Sequence, residues 1–171
     1  MPWMRASPIE TERLCLEPLD VGHASEMRPV LSAPELTRFT GGGPPTEDEL
    51  RARYLRQSAG QSPSGDAGWL NWIIRRRDVG AAVGYVQATV TEQEGAMVAD
   101  VAWVIGVSEQ RRGFASEAAE AMIEWTRLHG VSSFDACIHP ENRASAGVAR
   151  RLGFVRTDRE VAGEAVWELR A

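Results

Sequence analysis

Apolar and polar residues alternate in residues 13–19, where Leu14 and Leu16 fall on one face and charged residues flank them. A period of two predicts a half-buried strand. Pro18 has no amide donor, which places this strand near an edge or an end of its sheet.

After residue 19 the apolar residues recur at helical spacing instead of alternating with polar ones. Asp20 can cap a helix that Pro34 brings to an end. The apolar positions of this helix are Val21, Ala24, Met27 and Leu31. A second helix begins near Thr46, because Thr46 and Glu49 have the spacing of a capping box. The Gly-, Ser- and Pro-rich residues 58–68 predict a flexible loop.

Three β-rich runs follow at residues 69–75, 83–90 and 98–107, with turn residues around Gly80 and Gly95 between them. Short strands joined by such turns pair with their neighbours in the sequence. The pattern therefore predicts an antiparallel meander.

The period changes to 3.6 in residues 116–129, and Gly130 is placed to end this helix. The apolar stripe consists of Ala118, Met122, Trp125 and Leu128. Residues 134–139 alternate again and predict a short strand. A strand, a helix and a second strand in this succession predict a parallel, right-handed crossover.

The C-terminal part of the chain predicts one more helix and a hairpin. The helix covers residues 142–152, and Gly153 can close it. Residues 154–157 and 165–169 are joined by a polar turn and indicate a terminal hairpin.

Length and composition narrow the class of protein. The 171 residues, 43% apolar and 25% charged, are typical of a single globular domain spanning residues 1–171. The 24 acidic and 19 basic side chains give a formal charge of −5, which argues against DNA or RNA as a partner. Cys15 and Cys137 form neither a disulfide framework nor a zinc motif, so we expect no metal and a reducing, cytoplasmic compartment. No run of about 18 apolar residues indicates a membrane span, so we expect a soluble protein.

The junction between the third β-rich run and the long helix carries the most chemistry. The residues concerned are Gln110, Arg111, Arg112, Gly113, Phe114 and Ala115. The first amide groups of a helix have no partner within it and attract anions together with the helix dipole. Gly113 lets a ligand approach the backbone, and the two arginines add local positive charge. This pattern predicts a phosphate site, although an ordinary loop with solvated arginines has the same local pattern.

The spacing Gln110-x-x-Gly113-x-Ala115 at a strand-to-helix junction resembles the acetyl-CoA signature of the GNAT acetyltransferase superfamily. Residues 100–103, 110–129 and 139–154 resemble its fourth strand, its third helix and its acceptor-side helix. The resemblance implies an α/β fold, also classed as α+β. This GNAT fold has a mixed twisted sheet of about seven strands, a splayed central parallel pair and about four flanking helices.

The resemblance also implies where acetyl-CoA binds. Its pyrophosphate would lie on residues 110–115, and its pantetheine arm would enter the splayed strands like an added strand. The backbone of Ile105, Gly106 and Val107 would bond that arm. Asn142 matches the asparagine that bonds pantetheine, while the sequence alone equally allows it to cap the last helix.

Catalytic residues are assigned by the same resemblance. Many relatives have a tyrosine acid seven residues after the asparagine, but here that position is Ala149. Ser145 matches the serine of the branch that acetylates ribosomal-protein N-termini, and it becomes the expected partner of the leaving thiolate. Asp100 is the expected base, with His139 as the second choice. A backbone N–H near residues 104–105 is the expected oxyanion donor.

The opening residues Thr11, Glu12 and Arg13 and the Asn142-x-x-Ser145 spacing resemble the RimJ/RimL-like branch. This resemblance implies an acetyl-CoA-dependent N-acetyltransferase acting on an α-amine of a protein or peptide, as a monomer or a homodimer. A small-molecule amine as the acceptor, or a module that binds acyl-CoA without catalysis, are the alternatives.

Overall fold

The computed structural model describes residues 2–39 and 42–170. They form one eight-stranded sheet in the order β1-β2-β3-β4-β5-β6-β8-β7. The strands are β1 (Ile9–Glu10), β2 (Leu14–Pro18), β3 (Gly68–Arg76), β4 (Ala82–Gln93), β5 (Ala96–Ile105), β6 (Val131–Ile138), β7 (Val155–Val161) and β8 (Glu164–Arg170). The helices are α1 (His23–Val30), α2 (Glu47–Gln57), α3 (Phe114–Leu128) and α4 (Arg143–Leu152). The expected mixed α/β fold is confirmed, and β1 brings the strand number above the expected seven.

Local sequence signals account for several of these elements. Thr46 accepts a hydrogen bond from the backbone N–H of Glu49, and the Glu49 side chain accepts one in return, so the predicted capping box begins α2. Gly153 adopts φ 95° and ends α4 as predicted. The antiparallel meander of β3, β4 and β5 is also confirmed.

The start of α1 differs from the prediction. The helix begins at His23, two turn residues after Asp20. The Asp20 carboxylate accepts a hydrogen bond from the N–H of Gly22 at 2.7 Å. A carboxylate that bonds the amide two residues on closes an Asx turn, so Asp20 shapes the turn before the helix rather than capping it.

The loop predicted as flexible, residues 58–68, carries its own hydrogen bonds. Ser62 and Ser64 both donate to one oxygen of Asp66, each at 2.7 Å. Trp3 donates from Nε1 to the carbonyl of Gly65 at 3.0 Å. The loop composition gave no sign of this anchor, because Trp3 lies 62 residues away along the chain.

The parallel pair β5 and β6 separates halfway along its length. Met97–Asp100 of β5 pairs with residues 131–135 of β6, and the part of β5 after Asp100 has no described pairing with β6. β5 stays paired with β4 up to Ile105. A gap therefore opens between β5 and β6 at the end of the sheet where α3 and α4 begin.

The two faces of the sheet carry different layers. One core cluster packs α3 and α4 against the sheet and includes Trp103 and Ile105. The other packs α1 and α2 against the opposite face, with Val104 at its margin. Since side chains alternate along a strand, Asp100 lies on the α1 and α2 face with Val104.

Candidate active site

The junction from β5 to α3 is a tight turn followed by a helix start. The N–H of Gly106 donates to the carbonyl of Val83 at 2.8 Å, which keeps Gly106 on the β4 side. A short 3₁₀ turn, Val107–Glu109, follows, and Val107 is exposed. Gly113 then adopts φ 80° immediately before α3. A left-handed backbone is readily adopted only by glycine, so the shape of this turn depends on Gly113.

The backbone amide groups of the turn are available to a ligand. The N–H groups of residues 111–116 donate to no acceptor in the described part of the chain. The first helical bond of α3 runs from the N–H of Glu117 to the carbonyl of Gly113, at 3.1 Å. A run of unpaired amides at the positive end of a helix dipole fits a phosphate or pyrophosphate group. The sequence-predicted residues 110–115 lie in this turn.

An ion pair from Arg13, the residue before β2, holds the turn in place, and the sequence gave no signal for it. Arg13 donates from Nε to Glu117 at 2.6 Å and from Nη1 to the carbonyl of Arg112 at 2.8 Å. Thr11 donates to the other carboxylate oxygen at 2.5 Å. Burial raises the pKa of Glu117, but the bonds from Thr11 and Arg13 outweigh it and the net pKa is lowered. Glu117 therefore stays charged and fixes the first turn of α3.

The side chains of the two loop arginines differ in their surroundings. Arg112 lies 3.4 Å from Glu109, which also accepts from Arg76 at 3.1 Å. Arg111 is exposed and makes no ion pair with a described carboxylate. Much of the charge of Arg112 is thus shared with Glu109, whereas the Arg111 guanidinium and the backbone amides of the turn are free to bind an anion.

The wall of the gap is the backbone of β5. The backbone N–H and C=O groups of successive residues point to opposite sides of a strand. Those of Val104 and the N–H of Gly106 point toward β4. Trp103 and Ile105 therefore turn theirs toward the gap. The carbonyl of Ile105 already accepts from the Gln110 side chain at 2.9 Å, which leaves the Ile105 N–H. Of the two expected oxyanion donors, only Ile105 presents its N–H to the gap.

The start of α4 places Asn142 and Ser145 together. The Asn142 carbonyl oxygen accepts from the N–H of Ser145 at 3.2 Å, so Asn142 caps the helix. Its NH₂ group makes no hydrogen bond with a described residue. The Ser145 hydroxyl likewise has no partner in the described part of the chain, and the residue is half-buried. Ala149 is 0% exposed, so the position of the relatives' tyrosine lies inside the core.

The two candidate bases, Asp100 and His139, differ in their exposure and in their contacts. Asp100 is exposed at the point where β5 and β6 separate, with Asp135 opposite it. Partial loss of hydration beside the neighbouring strand, and then the charge of Asp135, raise the pKa of Asp100. His139 accepts from the N–H of Glu141 at 3.1 Å, and its ring lies 4.7 Å from the Phe39 ring. The contacts of His139 are those of a structural residue, whereas Asp100 faces solvent.

The described residues contain no group of three or more His, Cys, Asp or Glu side chains able to hold a metal ion. No helix among them is long and apolar enough to cross a membrane.

Comparison with known proteins places this site in a family. The family model described as an acetyltransferase (GNAT) domain matches residues 13–155. The uncharacterized N-acetyltransferase YjdG of Bacillus subtilis (strain 168) is 28% identical over 151 residues, covering 86% of this chain and 89% of the relative. The uncharacterized N-acetyltransferase p20 of Bacillus licheniformis is 26% identical over 146 residues, covering 84% of this chain and 80% of the relative.

Solved structures share the fold. The GNAT-family acetyltransferase from Bacillus anthracis has a TM-score of 0.74 at 17% identity, covering 96% of this chain and 98% of that one. RimL, a ribosomal L7/L12 alpha-N-protein acetyltransferase, has a TM-score of 0.75 at 17% identity, covering 96% of this chain and 94% of that one. A second RimL structure, in complex with coenzyme A, has a TM-score of 0.74 at 16% identity, with 96% and 98% covered. The chain belongs to the acetyltransferase (GNAT) domain family and is an acetyl-CoA-dependent N-acetyltransferase.

Proposed function

We propose that the chain acetylates the α-amine of a protein or peptide, as the RimJ/RimL-like branch does. The observation that carries the proposal is the pair at the start of α4, where Asn142 caps the helix and the Ser145 hydroxyl has no described partner. The RimL structures support it, since RimL is described as an alpha-N-protein acetyltransferase.

The residues present fit the coenzyme. The unpaired amides of residues 111–116 match a pyrophosphate, and the gap beside Trp103 and Ile105 matches a pantetheine arm. The free NH₂ group of Asn142 can donate to that arm while its carbonyl caps α4. Gly106 keeps the turn tight, and Val107 lines the exposed mouth of the gap. Bound acetyl-CoA supplies the activated acetyl group as a thioester.

The chain's own groups would then move the protons and stabilise the charge that develops during acetyl transfer. Asp100 takes a proton from the acceptor ammonium, through a water, so that the free amine can attack the carbonyl carbon. The Ile105 N–H stabilises the oxyanion that forms. Cleavage of the carbon–sulfur bond would leave a thiolate, and the Ser145 hydroxyl would relay to it the second proton that the attacking amine nitrogen loses. The raised pKa of Asp100 makes it a stronger base than an ordinary aspartate.

A panel of acceptors tests the proposal. Purified protein is mixed with acetyl-CoA and either peptides with free N-termini, the same peptides with blocked N-termini, or small amines, and release of free thiol is followed. We expect turnover only with free peptide N-termini, and mass spectrometry should place the acetyl group on the α-amine. Turnover of small amines alone would replace the peptide acceptor with the small-molecule alternative.

Location and assembly complete the proposal. Both cysteines, Cys15 and Cys137, are free thiols, as is usual in a reducing compartment, and we propose a cytoplasmic location. We also propose that the enzyme works as a monomer or a homodimer.

A further inference from the structure

A pair of adjoining cavities lies on the α1 and α2 face of the sheet, away from the phosphate turn (residues 110–116). Their volumes are about 30 Å³ and about 230 Å³. Both lie between α2 and the strands β3 and β4, and both are lined by Arg53, Gln57, Asn71 and Gln87. The smaller cavity is also bordered by Tyr54 and Tyr85, and the larger by Arg56, Trp69 and Thr89.

The cavities contain positive charge without a matching carboxylate. Arg53 is half-buried, Arg56 is exposed, and neither makes an ion pair with a described residue. Arg51 on the same helix, by contrast, lies 4.0 Å from Glu47. Two guanidinium groups that share a cavity without a carboxylate indicate an anion-binding surface.

A buried hydroxyl in the smaller cavity also lacks a partner. Tyr54 is 4% exposed, and its hydroxyl makes no hydrogen bond with a described residue. Burial raises the pKa of Tyr54 to about 12, so the hydroxyl keeps its proton and can donate. Buried polar groups are normally paired, and about 30 Å³ has room for one water, so this hydroxyl can donate to a water or a ligand oxygen in the smaller cavity.

The sheet register relates these cavities to the proposed base. Thr89, at the edge of the larger cavity, pairs with Asp100 on the next strand. Neighbouring strands lie about 4.8 Å apart, so the cavity begins roughly one strand spacing from Asp100. Asp135 lies one strand further on. An ammonium group is favoured on the Asp100 side and an anion on the Arg53 side.

We propose that the acceptor is a peptide N-terminus with a carboxylate in its second or third residue, bound by Arg53 and Arg56 in the larger cavity, beside the Tyr54 hydroxyl of the smaller one. The inference rests on the proposed function and specifies its acceptor. The spacing between the amine and the carboxylate decides against a free α-amino acid, whose two groups are only two bonds apart. A carboxylate on the second or third residue lies several bonds further from the amine and can reach past Thr89 toward Arg53 and Arg56.

Matched peptides and matched variants test this proposal. Two peptides differ only at the second residue, Glu in one and Gln in the other, and kcat/KM for each is measured by thiol release. We expect the acidic peptide to be preferred by about tenfold or more, through a lower KM. Arg53→Gln with Arg56→Gln should abolish the preference by raising KM for the acidic peptide alone. Arg51→Gln, on the same helix, should leave the preference intact.

The outcomes separate this inference from the function on which it rests. Equal kcat/KM for the two peptides, or a preference that persists in the Arg53→Gln/Arg56→Gln variant, would overturn the inference and leave peptide acetylation standing. Turnover of an ω-amino acid alone, dependent on Arg53, would overturn the peptide acceptor and keep the anion site. Calorimetry of both peptides with the coenzyme A complex gives a readout without turnover, and equal affinities there would also overturn the inference.

Discussion

The phosphate turn depends on the left-handed backbone of Gly113, and Gly113→Ala tests this dependence directly. Gly113 has φ +80°, a conformation that costs an L-residue about 1–2 kcal/mol. A Cβ at this position would lie 3.3 Å from Nη2 of Arg13, the guanidinium nitrogen that takes no part in the bonds to Glu117 and Arg112, so a small shift relieves the contact. Backbone strain is therefore the main effect of the substitution, and steric conflict is secondary.

A second glycine provides a matched control. Gly163, in the turn between β7 and β8, has φ +83°, and a Cβ there would meet nothing within 4 Å. Gly163→Ala and Gly113→Ala should therefore lose a similar free energy of unfolding, about 1–2 kcal/mol. Only Gly113→Ala should weaken coenzyme A binding, because a turn that relaxes away from positive φ no longer aligns the amides of residues 111–116. If binding must restore that conformation, the same 1–2 kcal/mol corresponds to an affinity loss of about 5- to 30-fold.

Two measurements decide the outcome. Denaturant unfolding gives the stability of both variants, and calorimetry gives their Kd for coenzyme A. Wild-type affinity in Gly113→Ala, together with the stability loss of Gly163→Ala, would show that the coenzyme does not use these amides. The reasoning about the phosphate turn would then be refuted.

The remaining predictions concern α4 and the proposed base. Ser145→Ala should lower kcat about 100-fold or more with little change in coenzyme affinity, and a wild-type kcat would remove Ser145 from the mechanism. Asn142→Asp keeps an oxygen to cap α4 but loses the NH₂ donor, so calorimetry should show weaker coenzyme binding at unchanged stability; unchanged affinity would limit Asn142 to capping. Because the charge of Asp135 helps to raise the pKa of Asp100, Asp135→Asn should move the acidic limb of the pH profile of kcat/KM to lower pH. An acidic limb that does not move would count against Asp100 as the base. Gly147→Ala, inside α4 with nothing within 4 Å, should raise the free energy of unfolding by about 0.5–1 kcal/mol, and a denaturant midpoint below wild type would contradict this.

Elements set by short-range chemistry could be predicted from the sequence. The capping box of α2 needs only Thr46 and Glu49, and the end of α4 needs only Gly153, so each is encoded within a few residues. The phosphate turn also has a local cause, since Gly113 and the unpaired amides of a helix start are visible in sequence.

Features set by long-range packing could not be predicted. Arg13 and Glu117 lie 104 positions apart, and their ion pair depends on how β2 packs beside the start of α3. The cavity that joins Arg53 to Asn71 and Gln87 requires α2 to lie over β3 and β4. Spacing within a single segment contains no information on either arrangement. Coenzyme residues were accordingly easier to predict than acceptor residues.

Backbone donors also explain how a chain of net charge −5 can bind a polyanionic coenzyme. The phosphate turn presents the amides of residues 111–116, while Arg112 shares its charge with Glu109. Amide dipoles fixed by the fold need no excess of basic side chains to attract phosphate. The guanidinium groups of Arg53 and Arg56 lie on the α1 and α2 face of the sheet, where we propose that their charge selects the acceptor. In the proposed site, coenzyme recognition is thus built into the backbone, and acceptor recognition can vary with a few side chains.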